Sequence, residues 1–428
     1  MQQPFIKSLL SSLGFRRAVG DQNPEPLATD VDLSDLTKVV STLMSDLDLR
    51  EADASKDLPT RLKAGLRDCR KAVASLLSEL KTVKRDLSES RGEIRRLQDE
   101  ARMRQDRQDW CSPALVEFPP ETPKGIYETT LKVLRGLIGG GASLSDASNA
   151  DRFPVPEIWT LYWCLVHASH AAVKAAKVAK DENGISRDFL AKLESETRTS
   201  PICTRDGGKL QVAYNAIFEQ SEPGMKEAAV GADILLIVAG QGLVPNGFAR
   251  LFWIQAKKAR SGQSPFTLNY AQENGDGLQV DALSKVHEPS KGAFGLYMQY
   301  SKDLPYVPSV LVGRLPRGKQ QPLTAKLSDL GIRLPELLVG HAIVASEKFG
   351  AFADTSEILA YLDDVAEKKP LFIVSVTAER AMELSQELAG NQLLSTVTDH
   401  YLQRFGLSPE PENDRETPSQ DRGMDFDR

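Results

Sequence analysis

The most regular pattern in the chain is a heptad repeat of apolar residues between positions 62 and 97. One heptad position holds Leu62, Cys69, Leu76, Val83 and Leu97, interrupted by Ser90, and its partner position holds Leu66, Val73, Leu80, Leu87 and Ile94. Charged residues fill the intervening positions. Alternating spacings of three and four residues over five heptads predict a coiled coil. Its apolar stripe needs a second helix, either from a second copy of the chain, giving a homodimer through residues 60–101, or from the same chain.

A different pattern follows the proline-rich break at residues 110–125. The sequence predicts a helix over 124–137, a largely buried helix over 154–180, and then helices and strands that alternate. These are a helix at "ENGISRDFLAKLESE", strands at "KLQVAYNAIF", "GADILLIVA" and "ARLFWIQAKK", a helix at "GLQVDALSKVH" and a strand at "GAFGLYMQY". The order α-β-β-β-α-β predicts an α/β fold in which three meandering strands and a returning strand form a mixed sheet.

Further strands are predicted at "SVLVGRL", "HAIVASE" and "LFIVSVTAE", followed by a closing helix that ends near residue 405. The tail after that helix is polar and rich in proline, which is typical of disorder. The predicted regions are an N-terminal segment with a short helix (1–55), the coiled coil (56–110), a linker and helical region (111–180), the α/β domain (181–345), a C-terminal α/β extension (346–408) and the tail (409–428).

Composition adds limits to this picture. The chain is 41% hydrophobic and 26% charged, which is ordinary for a globular protein, and its net charge of −6 gives no overall attraction to nucleic acid. Four scattered cysteines favour a reducing, cytoplasmic setting. We expect no membrane span, because no apolar run reaches about 18 residues. Cys164, His167 and His170 are spaced three apart, but their apolar neighbours favour a core position over a metal site.

Candidate chemistry lies at the ends of two predicted strands. Asp233 opens one apolar run, and Gln255-Ala256-Lys257 closes the next. If the runs pair as a hairpin, Asp233 lies beside Gln255 and Lys257, which share one face of their strand. A carboxylate, an amide oxygen and the Ala256 carbonyl are ligands that suit Mg²⁺, and a lysine beside them suits hydrolysis of a phosphodiester. The alternative is that these are solvated strand ends.

The order Glu182 in "ENGIS", Asp233 in "GAD", and Gln255-Ala256-Lys257 resembles the PD-(D/E)XK, restriction-endonuclease-like nuclease superfamily, in particular its Mrr-like branch. The resemblance covers about residues 180–300. It implies an αβββαβ core, which agrees with the order of elements predicted above. It also implies that Glu182 is a metal ligand and that Gln279, on the helix after the lysine strand, faces the site.

The resemblance further implies a Mg²⁺- or Mn²⁺-dependent endonuclease acting on DNA, in a setting such as bacterial defence against foreign DNA. Its catalytic residues would be Asp233, Gln255, Lys257, Glu182 and Gln279, and its metal ligands Asp233, Gln255, Ala256 and Glu182. Gln255 departs from the usual acid, so Glu219, Glu222 and Glu227 are alternative second acids. Basic residues beyond the site are candidates for phosphate contacts: Lys258, Arg260, Lys285, Lys291, Arg314, Arg317 and Lys319.

Two other functions stay open from the sequence. The same fold, weakened at Gln255, would bind DNA or a partner protein without cutting it. A coiled-coil scaffold with an unrelated α/β body is the other alternative. No residue distinguishes RNA from DNA as the substrate.

Overall fold

A computed structural model describes most of the chain after residue 60. The described residues are 42, 45, 60–115, 122, 124–141, 143–178, 180–201, 209–217, 232–240, 242–259, 265–267, 278–315, 324–344, 348–365, 370–379 and 384–404. The predicted tail, the three alternative acids and almost all of the N-terminal segment lie outside them. The chain divides into two compact units, residues 1–100 and 101–428.

From residue 60 onward, the described part of the first unit is one long helix. This helix, α1 (Thr60–Cys111), begins in the first unit and ends in the second. Large apolar side chains of the predicted stripe are exposed to solvent by 39–57%: Leu76, Val83, Leu87, Ile94 and Leu97. Ion pairs between Arg96 and the two acids Glu93 and Glu100 support the helix between these positions. The stripe from Leu76 to Leu97, interrupted at Ser90, therefore carries apolar side chains that face solvent in part. The partner helix stays a prediction.

The second unit is built from helices around a sheet. Its helices, within the described residues, are α2 (Lys124–Ile138), α3 (Pro156–Lys177), α4 (Glu182–Thr199), α5 (Gln279–Lys285), α6 (Leu327–Leu330), a π-helix (Glu336–Val344), α7 (Thr355–Asp364) and α8 (Leu384–Arg404). Short 3-10 turns cover Ser112–Ala114, Ser145–Ser148, Ala150–Arg152 and Val312–Arg314. No helix among the described residues is both long and apolar enough to cross a membrane.

The described strands form one large mixed sheet and one small ribbon. They are β1 (Lys209–Ala216), β2 (Ile234–Ala239), β3 (Ala249–Lys258), β4 (Phe266–Thr267), β5 (Ala293–Tyr300), β6 (Pro308–Leu311), β7 (Thr324–Ala325), β8 (Ile332–Arg333) and β9 (Phe372–Glu379). Seven of them make the sheet in the order β1-β9-β2-β3-β5-β6-β8, and β4 pairs with β7. The predicted α/β class with a mixed sheet is confirmed.

Both faces of the sheet are covered, and alternate residues of each strand enter different cores. On β3, Phe252, Ile254 and Ala256 join the core that includes α3 and α4. Leu251 and Trp253 point to the opposite face and join the core that includes α7 and α8. Burial on both faces explains why the central strands are almost continuously apolar. It also means that a polar side chain within these strands lies in an apolar environment.

The prediction that β1, β2 and β3 form a contiguous meander is wrong. Strand β9 lies between β1 and β2, antiparallel to β1 and parallel to β2. The sequence "FIVSVTAE" is apolar enough to be buried on both faces, whereas "KLQVAYNA" is more polar and suits the edge of the sheet. The region predicted as a C-terminal extension thus supplies a central strand of the same sheet.

The strand predicted at "HAIVASE" is also wrong. Residues through Val344 belong to the buried π-helix. The guanidinium of Arg250 is buried and donates to the carbonyls of Ala342 and Ile343, at 2.5 and 2.8 Å, which satisfies the end of this helix. A short apolar run is compatible with either a buried strand or a buried helix, so tertiary packing made the choice.

Candidate functional site

The predicted hairpin forms and brings Asp233 to Gln255. Strands β2 and β3 pair antiparallel with Ile234 opposite Ile254, and the backbone N–H of Asp233 donates to the Ile254 carbonyl at 2.9 Å. The connecting loop begins at Gly240, whose φ of 120° is a conformation that glycine adopts readily and other residues rarely do. A Cβ at this position would also lie only 3.1 Å from the backbone nitrogen of Ala378. The acid is therefore fixed by hairpin register.

Two hydrogen bonds hold the carboxylate of Asp233. The side-chain Nε2 of Gln255 donates to Asp233 Oδ2 at 2.6 Å, and the backbone N–H of Ala256 donates to the same oxygen at 2.7 Å. Asp233 is 8% exposed and Gln255 is 2% exposed. A solvated strand end would show neither this burial nor these bonds, so the solvated-end alternative does not describe Asp233.

Burial, followed by the negative charge of Glu182, raises the pKa of Asp233 from an ordinary 3.8 to about 7. The positive charge of Lys257 and the two hydrogen bonds act in the opposite direction, because they favour the ionised form. Near neutral pH this carboxyl group therefore exists in both protonation states. A carboxyl group with such a pKa is suited to exchange a proton or to accept a cation.

Glu182 comes to the site from helix α4. Asp181 caps this helix, since its side chain accepts from the backbone N–H of Gly184 at 2.8 Å, and Glu182 is the first helical residue. One turn later, Ser186 is hydrogen-bonded to the hydroxyl of Tyr300 on β5 at 3.1 Å. This contact fixes the start of the helix against the sheet, so that Glu182 reaches the end of β3.

Glu182 connects the helix to the two lysines that end β3. Its Oε2 accepts from the backbone N–H of Lys258 at 2.8 Å, and its Oε1 lies 4.0 Å from Lys257 Nζ. The side chain of Lys258 turns back to donate to the carbonyl of Lys180. The side chains of Glu182 and Lys257 are 27% and 22% exposed. Acid and lysine therefore face each other at the rim of the site, open to solvent.

The structure thus brings together four of the predicted residues: Asp233, Gln255, Lys257 and Glu182. Gln279, the fifth, begins α5, and no hydrogen bond joins it to those four in the described part of the chain. Its Oε1 is buried there without a hydrogen-bond partner. Burial, followed by the charges of Asp233 and of Asp281 on α5, raises the pKa of Tyr297. Leu283 of α5 joins the core on the same face of the sheet as Tyr297.

Sequence reasoning missed two residues of this site, Tyr297 and Gln299. Parallel pairing of β3 with β5 places Tyr297 opposite Gln255 and Gln299 opposite Lys257. Gln299 is fully buried, and neither atom of its amide has a hydrogen-bond partner among the described residues. The only signal in the sequence is the alternation of "LYMQY", and it becomes informative once the β3–β5 register is known.

The residues present fit a divalent cation in part. Asp233 and Glu182 supply two carboxylates, and the buried Oε1 of Gln255 has no hydrogen-bond partner in the described part of the chain, so it is a hard oxygen donor still available. The Ala256 carbonyl accepts a long hydrogen bond of 3.3 Å from Gln255 Nε2. Across the described residues, no group of three or more His, Cys, Asp or Glu side chains is placed to hold a metal ion.

The other candidates from the sequence lie elsewhere. Cys164 and His167 are buried in the helical core, where His167 packs against Trp110 and Trp163. Among the basic residues, Arg260, Arg317 and Lys319 fall outside the described residues. Of the others, Lys291 pairs with Glu288 at 2.8 Å and Arg314 contacts His341 at 2.9 Å. Lys258 adjoins the site through its backbone N–H, which donates to Glu182, while its side chain donates to the Lys180 carbonyl.

Comparisons with known proteins give no match from which a role for the site could be transferred. The chain matches no protein-family model, and neither curated proteins nor solved structures give a match.

Proposed function

We propose that the protein is a metal-dependent endonuclease that hydrolyses phosphodiester bonds of DNA. The observation that carries the proposal is the convergence of Glu182, Asp233, Gln255 and Lys257 at the carboxyl end of β3. Helix α4, the residue that precedes strand β2, and strand β3 each contribute, from positions up to 75 residues apart. Two acids, an amide and a lysine in one partly open site are the groups that this hydrolysis uses.

Each side chain has a distinct task in the proposed reaction. Lys257, at the rim, neutralises the charge that develops on the phosphate oxygens in the transition state. Asp233 supplies a buried carboxyl group that loses its proton near neutral pH and then carries a negative charge. Gln255 and the backbone of Ala256 keep that carboxylate in place through their two hydrogen bonds. Glu182 provides the second acid and sets the distance between α4 and the lysine strand.

A divalent cation, Mg²⁺ or Mn²⁺, is part of this proposal. Asp233 and Glu182 would hold it, with Gln255 Oε1 as a neutral third donor after rotation of its amide group. When bound, such an ion polarises a phosphate oxygen and lowers the pKa of a bound water. Because it competes with the proton on Asp233, we expect the ion to bind more tightly as the pH rises through 7.

A second function, binding without cleavage, is favoured by one observation. The side-chain Nε2 of Gln255, a donor, faces Asp233 and occupies Oδ2 together with the Ala256 N–H. A carboxylate that is already satisfied in this way is less available to a cation than one facing solvent. The same fold would then hold DNA or a partner protein at the rim without hydrolysing it.

Cleavage of plasmid DNA distinguishes the two functions. We expect the purified protein to nick or linearise supercoiled plasmid with Mg²⁺ or Mn²⁺ and to be inactive with EDTA. Asp233→Ala and Lys257→Ala should each lower the rate by roughly 100-fold or more, the size of loss found when one transition-state contact is removed. Gel electrophoresis of a time course measures the rate, and a parallel reaction with single-stranded RNA tests the substrate class.

The matched control is Lys132→Ala, which removes an exposed lysine from α2. It should cleave like the wild type. Equal cleavage by the wild type and both site variants would contradict the assignment of these residues. DNA binding without turnover on either nucleic acid would favour the binding function instead.

A further inference from the structure

Two adjacent rungs of the β3–β5 ladder carry polar side chains where the apolar core ends. Gln255 lies opposite Tyr297, and Lys257 lies opposite Gln299. The strands are parallel, so both rungs lie at their carboxyl ends, which is where open α/β sheets bind ligands. Alternation along the strands directs these four side chains to the face opposite Ala256 and Met298, which belong to the core under α3 and α4.

Gln299 is the unusual member of this group. It is fully buried, and both its Oε1 and its Nε2 lack a hydrogen-bond partner within the described residues. A buried amide without partners destabilises a fold, whereas methionine or leucine would fill the same space without that cost. Buried polar groups that lack partners are rare in native proteins, and function is one reason for keeping them.

Lys257 is the neighbour that can use this amide. Adjacent strands lie about 4.7–4.9 Å apart, so the two side chains extend side by side from the sheet. The ammonium group of Lys257 has three donors and lies 4.0 Å from Glu182 Oε1, beyond a normal hydrogen bond. Its side chain is 22% exposed, whereas Gln299 beside it is enclosed. The lysine therefore lies between the position of the buried amide and the open rim.

We propose that Gln299 positions Lys257 for a phosphate group: its amide oxygen accepts a hydrogen bond from the ammonium and draws it from Glu182 to a place over the sheet. This inference rests on the proposed function in one respect, the assignment of Lys257 as the phosphate contact. Gln299 itself acts through the lysine and does not touch the substrate. Gln299 belongs neither to the sequence motif nor to the four residues that converge at the site.

A double-mutant cycle tests this role through binding of a fluorescein-labelled DNA duplex, measured by anisotropy in EDTA so that no turnover occurs. Gln299→Met should weaken binding about tenfold, which is the size expected for loss of one hydrogen bond to a charged group. In the Lys257→Met background the same change should have no further effect, because it acts through the lysine. Gln299→Met should melt at the same or a higher temperature than the wild type.

The control is Gln211→Met on the edge strand β1, where Oε1 is likewise buried and has no partner in the described part of the chain. It should leave DNA binding unchanged. Equal losses from Gln299→Met with and without Lys257 would overturn the positioning role and indicate direct contact. A lower melting temperature with unchanged binding would overturn it in favour of a structural role.

Acetylation of lysines separates failure of this inference from failure of the proposed function. If the wild type binds no DNA, the proposed function fails, but the rate at which an acetylating reagent labels Lys257 still reports on its neighbour. Mass spectrometry should show that Gln299→Met changes this rate by threefold or more relative to Lys258 in the same molecule. An unchanged rate would overturn the contact between the amide and the ammonium.

Discussion

Asp233 carries two hydrogen bonds on one carboxylate oxygen in an environment that disfavours its charge. Burial and the nearby charge of Glu182 raise its pKa, while the bonds from Gln255 and Ala256 and the charge of Lys257 lower it. Burial and the charge of Glu182 outweigh the other effects, and the pKa of Asp233 reaches about 7. Such a group weakens the fold when it is ionised, which is the pattern expected of a residue kept for function.

The pH dependence of stability measures this effect. Asp233 has a higher pKa in the folded chain than its ordinary 3.8, so the folded state binds more protons between pH 4 and pH 7. The contribution of Asp233 to stability is therefore full below pH 3.8 and is lost as the pH rises through 7, by roughly 4 kcal/mol in total. Asp233→Asn should remove this loss, so the variant gains stability over the wild type as the pH rises.

Urea unfolding of the two proteins at pH 4, 5, 6 and 7 checks this prediction, with the difference between them as the measured quantity. Asp303→Asn, at an exposed position between β5 and β6, is the control for removal of one negative charge at the surface. A constant difference for Asp233→Asn would mean that the carboxyl group titrates normally.

Helix α1 exposes its apolar stripe to solvent. A helix of 52 residues with apolar side chains exposed by up to 57% does not bury its own stripe. The heptad spacing suits a two-stranded coiled coil, and a second copy of the chain supplies an identical stripe. We therefore retain the predicted homodimer through residues 60–101 as a proposal, in which two copies of the site serve two DNA strands.

Charges placed on the stripe should separate the two chains. Leu87→Asp combined with Ile94→Asp puts acids at the same position of two adjacent heptads, and an apolar seam does not tolerate buried unpaired charge. Light scattering of the full-length protein should give a dimer for the wild type and a monomer for this variant. The outer-face variant, Ser88→Asp with Arg95→Asp, should remain a dimer. A monomeric wild type would refute the homodimer.

At the scale of the molecule, β9 joins parts of the chain that the sequence presents as separate. Lying between β1 and β2, it pairs along its full length with β1 and along six residues with β2. Its side chains enter both cores, since Val374 joins one and Ile373 the other. The position of Asp233 at the start of β2 depends on it as well, because the Asp233 carbonyl accepts from the backbone N–H groups of Leu371 and Phe372.

Damage to β9 should therefore lower the stability of the whole sheet. Ile373→Ala removes a fully buried side chain, and we expect a loss of about 2–5 kcal/mol in the free energy of unfolding. Leu359→Ala on α7, at a partly buried position, should cost less. Tryptophan fluorescence and circular dichroism should report one coincident transition for the second unit. A separate early transition confined to residues after 345 would show that this region is an independent extension.

Local elements and the hairpin site were predictable from the sequence. β3 has the predicted bounds, Ala249–Lys258, and α4 begins at Glu182, because apolar periodicity and capping are properties of neighbouring residues. Asp233 lies beside Gln255 for a related reason, since a short connection between two antiparallel strands fixes their register. The sequence by itself therefore determined the helices and strands around the site and the pairing of its acid with its amide.

Tertiary structure decided what depends on distant segments. It placed β9 inside the sheet, made His341–Val344 the end of a π-helix capped by Arg250, and set Gln299 against Lys257. None of these has a local signature, because strands separated by many residues choose their neighbours by shared burial, and because parallel register depends on the packing of the connecting segment. For the same reason, the burial that raises the pKa of Asp233 became visible only when both faces of the sheet were covered.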